Sequence, residues 1–242
     1  MPKLDLVANH CSNNRGMENW GLITFSKRVL LTEKGEESLF IRNARTVAHE
    51  VSHMWFGNLV TMEWWDDLWL NEGFARYAEH HILNELRPSF KVWESYFTEV
   101  MQGAFSADKV LERTHPVRVE VPDPDHLQSI FDTISYAKGS SICRMLVAFV
   151  GPEAFKEGLK LYMKRHRYGN TTTFDLLSAL EEASQKPVTR TFKPWLEQPC
   201  FPLLSVERVS ATQYRLSQRC FDSKGDMLWP IPLHYKALKS DV

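Results

Sequence analysis

His49-Glu50-Val51-Ser52-His53 sets two imidazoles four residues apart with a carboxylate beside the first, and a further carboxylate, Glu72, follows in Leu70-Asn71-Glu72-Gly73. On a helix, positions i and i+4 share a face, so His49 and His53 can reach one ion while Glu50 is rotated about 100° from His49. Two imidazoles and a carboxylate are a recurring ligand set for catalytic zinc, which takes three protein ligands and keeps a fourth position open. The metal lowers the pKa of its water to about 7, and a neighbouring carboxylate can accept that proton and pass it to a leaving amine. His49, His53 and Glu72 are therefore candidate ligands for one Zn2+ per chain, with Glu50 as candidate base. H-E-x-x-H also arises by chance on ordinary surface helices, and the third carboxylate weighs against that reading.

Two helices must position these groups. Glu37 to Phe56 reads as the first metal helix and Leu68 to Leu86 as the second, stopped by Pro88, so that Glu72 faces back from its first turns. The eighteen residues between His53 and Glu72 suffice to end one helix, cross a loop and begin an antiparallel one. Leu4 to Ala8 and Gly21 to Leu31 read as short strands. Ser89 to Ala104 carries Phe90, Trp93, Phe97 and Val100 at helical spacing. A turn-rich stretch from His115 to Asp125 follows, broken by prolines. Helices are expected at Tyr136 to Val150, at Pro152 to Arg167 with proline in the first turn, and at Thr173 to Gln185 with Thr172 or Thr173 as N-cap. After Pro199 the pattern turns to strands, at Leu203 to Val209, Gln213 to Arg219 and Trp229 to Leu238.

The run from Val47 to Glu79, VAHEVSHMWFGNLVTMEWWDDLWLNEGFARYAE, resembles the signature of the M1 family of zinc aminopeptidases, gluzincins with a thermolysin-like catalytic domain. Gly16-Met17-Glu18-Asn19 resembles that family's Gly-x-Met-Glu-Asn exopeptidase motif, and Ile134-Ser135-Tyr136-Ala137-Lys138-Gly139 the segment carrying its catalytic tyrosine. The wording is nearest to puromycin-sensitive-type members. The resemblance implies that Gly16, Met17, Glu18 and Asn19 bind substrate, with Glu18 holding the α-amine, and that the Tyr136 hydroxyl stabilises the oxyanion. Arg15 departs from the pattern, standing where the family has the motif's first glycine; a bulky cation there is expected to crowd the substrate or repel its ammonium. His80 and His81 are expected to be surface residues, and Trp55, Trp64, Trp65 and Trp69 packing around the metal helices.

Composition narrows the alternatives without choosing among them. With 242 residues and 43% hydrophobic content the chain can bury a core, and a net charge of −1 gives no electrostatic reason for a nucleic-acid partner. The longest apolar run falls far short of the ~20 residues that span a bilayer, so no membrane segment is expected. Pro2-Lys3-Leu4-Asp5 holds no apolar signal region, and Cys11, Cys143, Cys200 and Cys220, without C-x-x-C spacing, suit reduced thiols in the cytoplasm.

The expected architecture is α+β and mainly α-helical: a thermolysin-like zinc peptidase catalytic domain over residues 1–199, then the first strands of an incomplete β-sandwich over 200–242. The expected function is zinc aminopeptidase activity on peptides with a free N-terminus. A zinc-binding but catalytically inactive fragment or interaction protein, and a thermolysin-like zinc endopeptidase, are the alternatives. Members of the resembled family are several times longer. That implies absent flanking domains and exposed apolar surface through which chains could associate.

Overall fold

The structure, a computed structural model, describes residues 2–10, 14–31, 35, 37–222 and 224–233. Cys11 and the end of the expected strand at 229–238 lie outside them. The fold is α+β and mainly helical, as the spacing of the apolar residues implies.

Strands β1 (Asp5–Asn9), β2 (Gly16–Met17) and β3 (Leu22–Ser26) form a sheet in the order β1-β3-β2, with β1 parallel and β2 antiparallel to β3. Alternation along β3 buries Ile23 and Phe25. The strand expected to reach Leu31 stops at Ser26, where helix α1 (Lys27–Leu30) begins and turns Val29 into the small core made by Ile23, Phe25 and Met54.

Helix α2 (Glu37–Ser52) is shorter than expected: the chain tightens into i→i−3 turns, Met54 N–H bonding to the Val51 carbonyl and Trp55 N–H to that of Ser52, and Gly57, at a φ of +118°, then leads it towards β4 (Val60–Met62). His53 lies one residue past α2, yet its N–H still bonds to the His49 carbonyl at 3.3 Å, so the i to i+4 relation survives. Helix α3 (Trp69–Leu86) ends before Arg87-Pro88 as the proline demands. The segment expected as one helix from Ser89 divides into a 3₁₀ turn at Pro88–Phe90, α4 (Val92–Tyr96), a π-helical turn at Phe97–Met101 and α5 (Gln102–Asp108). After the proline-rich loop come α6 (Leu127–Ile130), a second π-helical turn at Ile134–Lys138, and α7 (Gly139–Val150). Helix α8 (Pro152–His166) leads to β5 (Gly169–Thr171), which pairs in parallel with β4, and then to α9 (Thr173–Ser184) and α10 (Val188–Glu197). Thr172 is the N-cap of α9: Asp175 Oδ2 accepts its N–H at 2.8 Å in a capping box.

The main core lies where α3, α7, α8, α9 and α10 meet, around Trp69, Phe74, Leu146, Leu176, Leu180 and Phe192. Helices α3 and α7 touch backbone to backbone at Gly73 and Gly139. A Cβ on Gly73 would sit 3.0 Å from the Gly139 carbonyl carbon, so a side chain at either position would push the two backbones apart by a few tenths of an ångström. The contact presses the π-helical turn ahead of α7 onto the start of α3. The chain continues into an antiparallel hairpin, β6 (Pro202–Arg208) and β7 (Tyr214–Cys220). Residues 229–233 are not a strand: Trp229 is buried beneath the hairpin and tied to one side chain, its N–H donating to Gln218 Oε1 and its carbonyl accepting from Gln218 Nε2. Among the described residues no helix is long and apolar enough to cross a membrane.

Candidate metal centre and substrate cleft

His49 from α2, His53 just beyond it and Glu72 from the first turn of α3 converge on one point. Their facing atoms make a near-equilateral triangle: His49 Nε2 to His53 Nε2 3.1 Å, His49 Nε2 to Glu72 Oε2 3.2 Å, and His53 Nε2 to Glu72 Oε2 3.4 Å. Tetrahedral zinc with bonds of ~2.05 Å separates its ligands by about 3.3 Å, so the triangle has the edge lengths of one face of that tetrahedron. Hydrogen bonding alone is a poor account of it, since two Nε2 atoms can share only one proton. The donor set therefore fits zinc.

The far ring nitrogen of His53 is hydrogen-bonded as a metal site requires, and that of His49 faces a carboxylate. His53 Nδ1 donates to Asn71 Oδ1 at 2.8 Å and to the Phe56 carbonyl at 3.0 Å, leaving Nε2 as the lone-pair atom. Glu79 Oε2 lies 3.1 Å from His49 Nδ1, and Arg76 donates to Glu79 Oε1 at 2.8 Å. Asn71, Arg76 and Glu79 were not singled out in the sequence. Glu79 stands seven positions after Glu72, two helical turns on the same face of α3, and that spacing was the available signal.

Charge follows from this packing. Burial alone would lower the His49 pKa, but Glu72 and Glu79 outweigh it and hold the imidazolium up to about 10. Burial would raise Glu72, yet the two histidines pull it down to about 2. Glu50, buried beside the triangle, is pushed up to about 7 by desolvation, with His49 and His53 opposing. A carboxyl tuned there can take and release a proton at neutral pH. It rests against Gly16, where a Cβ would come within 2.3 Å of Oε1.

The cleft, about 760 Å³, gathers the other expected residues. Gly16, Met17 and Glu18 line one wall, supported by β2 pairing to β3 through Gly16 opposite Phe25. Glu18, Glu50 and His53 bring ligand-type atoms within 4.8 Å of one another. Asn58 donates to the Glu18 carbonyl at 2.7 Å and Asn71 to Glu18 Oε1 at 3.4 Å, which fixes this segment against the metal helices. Asn19 is exposed and not among the lining residues; its carbonyl accepts from Leu22 N–H at 3.0 Å in the turn. Tyr136 enters from the opposite wall on the π-helical turn, its ring stacked on His49 at 6.1 Å and 11°. Burial, with the Glu72 carboxylate beside it, pushes its hydroxyl well above the usual phenol range, so Tyr136 is a donor at any ordinary pH.

Arg15 also lines the cleft, but α2 holds its guanidinium: Thr46 Oγ1 accepts from Nε at 3.0 Å and Asn43 Oδ1 from Nη2 at 2.9 Å. Two other expectations are corrected. His80 is fully buried, its ring against Trp93 and Tyr96, because α4 packs on that side of α3; burial holds it down to about 4, and only His81 is exposed. Of the four tryptophans Trp69 is core and Trp65 packs against the buried cluster of Leu68, Val121 and Ile130, as expected. Trp55 and Trp64 are about half exposed, at 51% and 47%, and Trp65 lines the cleft.

A family model described as the peptidase family M1 domain matches residues 1–195. Over 237 residues, covering 96% of this chain and 30% of the relative, the sequence is 41% identical to tricorn protease-interacting factor F2 of Thermoplasma acidophilum. It is 43% identical to the alanine/arginine aminopeptidase of Saccharomyces cerevisiae over 89% of this chain and 26% of that protein. With the puromycin-sensitive aminopeptidase of Caenorhabditis elegans it shares 39% over 96% of this chain and 26% of the relative. The chain thus spans less than a third of the length of these relatives. Its ligand triangle, cleft and sequence make one assignment, and the chain belongs to peptidase family M1.

Proposed function

We propose that this chain is the catalytic part of a zinc aminopeptidase, removing the N-terminal residue from peptides that carry a free α-amine. The observation that carries the reading is the ligand triangle with Glu50, Glu18 and Tyr136 facing it across one cleft. Residues 1–199 are read as a thermolysin-like catalytic unit and residues 200–242 as the opening strands of a β-sandwich, in a cytoplasmic protein whose relatives are named as aminopeptidases.

His49, His53 and Glu72 would hold one zinc ion, which when bound supplies Lewis acidity to polarise the scissile carbonyl. Glu50 takes the proton of the attacking water on its carboxylate and delivers it to the departing amine. The Tyr136 hydroxyl donates to the oxygen on which negative charge develops. Glu18 pairs with the substrate ammonium and so sets the scissile bond one residue from the terminus. Asn71 and Glu79 keep the two imidazoles in the metal-binding tautomer.

The test is release of arylamine from aminoacyl anilides by the zinc-loaded chain, and its loss in Glu50→Ala while zinc stays bound at one per chain. Activity surviving that substitution would remove Glu50 from the role of base. Arg15 in the cleft is the one observation favouring a zinc-binding protein without turnover. Stoichiometric zinc with no anilide hydrolysis would be that result, and cleavage of N-acetylated peptides would point to an endopeptidase.

A further inference from the structure

Cys200 and Cys220 lie at the two ends of the β6–β7 hairpin, where the strands meet the helical body. Their Sγ atoms are 3.0 Å apart, about 1 Å more than a covalent S–S bond of ~2.05 Å. Buried cysteines commonly act as small hydrophobes, and Cys143, in the main core, is explained that way. Two features set the other pair apart. Cys200 has a φ of +69°, a backbone conformation that glycine adopts freely and other residues adopt at a cost in strain. Both backbones are also fixed so that the sulfurs face each other. Asp108 Oδ1 accepts from Cys200 N–H at 2.8 Å, and Lys138 Nζ donates to the Cys200 carbonyl at 3.0 Å. On the other strand, Cys220 is registered opposite Pro202, and Phe221 N–H donates to the Phe201 carbonyl at 2.9 Å.

We propose that Cys200 and Cys220 are a redox modification site, a vicinal pair that closes to an intramolecular disulfide in the presence of a disulfide oxidant such as oxidised glutathione. One thiolate attacks a glutathione sulfur and expels one glutathione thiolate, leaving a mixed disulfide. The second thiolate attacks the protein sulfur of that bond and releases the second glutathione. Two protein thiols become one disulfide, and the oxidant takes up both electrons and both protons as two thiols. In a reducing compartment the pair rests as thiols, and the bond forms only when the glutathione pool is oxidised.

The site would act as a clamp. Lys138, which pairs with Asp108 at 2.8 Å and holds the Cys200 carbonyl, belongs to the same π-helical turn as Tyr136. The hairpin is thus tied at one point to the support of the cleft wall, and the disulfide would make that tie covalent. Access is limited: both cysteines are buried, Trp229 packs on them, and Gly225 lies so close that a Cβ there would be 2.8 Å from Cys220 Sγ. Oxidation therefore requires the segment after Cys220 to lift, and it is expected to proceed over hours.

The full chain, first reduced, is incubated with oxidised glutathione at pH 8, alkylated, digested without reductant and mapped by mass spectrometry. The expected product is a cross-linked peptide pair joining Cys200 to Cys220, with Cys143 recovered alkylated. The melting midpoint should rise by about 5–10 °C, reversed by dithiothreitol, for a bridge closing a loop of ~20 residues. Cys200→Gly suits the positive φ and keeps the fold, and it should melt at the same temperature with and without oxidant. Equal alkylation of Cys200, Cys220 and Cys143 after oxidation would overturn the proposal. So would a persistent glutathione adduct on one cysteine, or an oxidant-dependent rise in melting that survives in Cys200→Gly.

Discussion

The contact between Gly73 and Gly139 decides whether Glu72 and Tyr136 face one another, and Gly73→Ala tests it. In a free helix the change would stabilise by about 1 kcal/mol through helix propensity. Here the added Cβ would meet the Gly139 carbonyl carbon at 3.0 Å, its Cα at 3.1 Å and the Ser135 carbonyl oxygen at 3.2 Å. All three are backbone atoms of the Tyr136 turn and of α7, so no side chain can swing aside. Restoring ordinary contact requires the two helices to part by roughly 0.4 Å. Overpacking of this kind costs about 1–3 kcal/mol, so the net expectation is destabilisation by about 1 kcal/mol, read as a melting midpoint ~2–4 °C lower. Because a 1 Å misplacement of catalytic groups can cost ~100-fold, a shift of less than half that size predicts a fall in kcat of about tenfold. The assay is anilide hydrolysis at saturating zinc, so that any change at the neighbouring Glu72 ligand is separated from the displacement of Tyr136. Gly139→Ala probes the same contact from the other side, its Cβ meeting Gly73 Cα at 3.2 Å and Trp69 Cβ at 3.3 Å. If both variants melt higher than the parent and keep its kcat, the interface is slack and the positioning argument fails.

Asn71→Ala should weaken zinc binding by about tenfold, the low end for an outer partner of a ligand, because the Phe56 carbonyl still accepts from His53 Nδ1. Chelator competition measures it, and an unchanged affinity would show that Phe56 alone orients the ring. Glu79→Gln removes the buried charge beside His49 and should cost about 10–100-fold in zinc affinity by the same measurement; parity with the parent would exclude Glu79 from orienting His49. A third expectation concerns pH. Burial tends to lower the His115 pKa, but Asp132, 3.1 Å from its Nε2, outweighs this and raises it, with Lys138 opposing. A group raised in the folded state contributes stability that is complete below its unfolded pKa, near 6.5, and is lost as pH rises through the higher folded value. Chemical denaturation should therefore find a decline above about pH 6.5 that is absent in His115→Asn, and identical pH profiles for the two proteins would contradict it.

The convergence of His49, His53 and Glu72 was legible because its signal is local: a four-residue spacing on one helix and a carboxylate at the start of the next. The long helices were legible for the same reason, through their apolar period and the prolines at Pro88 and Pro152. What escaped depends on neighbours distant in sequence. Helix α10 was hidden by Pro187 and Pro194, yet Val188, Thr191, Phe192 and Leu196 bury one face and carry the helix past its internal proline. The three-residue pair of β4 and β5 joins segments more than a hundred residues apart and has no period to read. His80 looked like a surface histidine only because the sequence does not say that α4 covers that side of α3. Within the described part of the expected strand, 229–233, no ladder forms, because Trp229 is held by a glutamine side chain and an aromatic neighbour, Trp195.

The division of labour between the two metal helices accounts for the density of motif residues on α3. The α2 segment contributes both imidazoles, each of which needs an acceptor on its far nitrogen. Helix α3 crosses at the right distance to provide the third candidate ligand, Glu72, together with Asn71 as acceptor for His53 and the Glu79 carboxylate 3.1 Å from His49 Nδ1. Asn71 further reaches Glu18, so the residue that orients a ligand also braces the wall proposed to hold the substrate amine. One rigid helix therefore sets the geometry of the proposed metal site, its ligand tautomers and the proposed amine pocket together. Gly73 is the position at which that helix is pressed onto the Tyr136 turn. A small rotation of α3 would disturb all four at once, so substitutions along its inner face should lower zinc affinity and turnover together rather than one at a time. Separable effects at Asn71 and Glu79, with zinc affinity lost and turnover at saturating zinc unchanged, would show instead that the two helices tolerate independent adjustment.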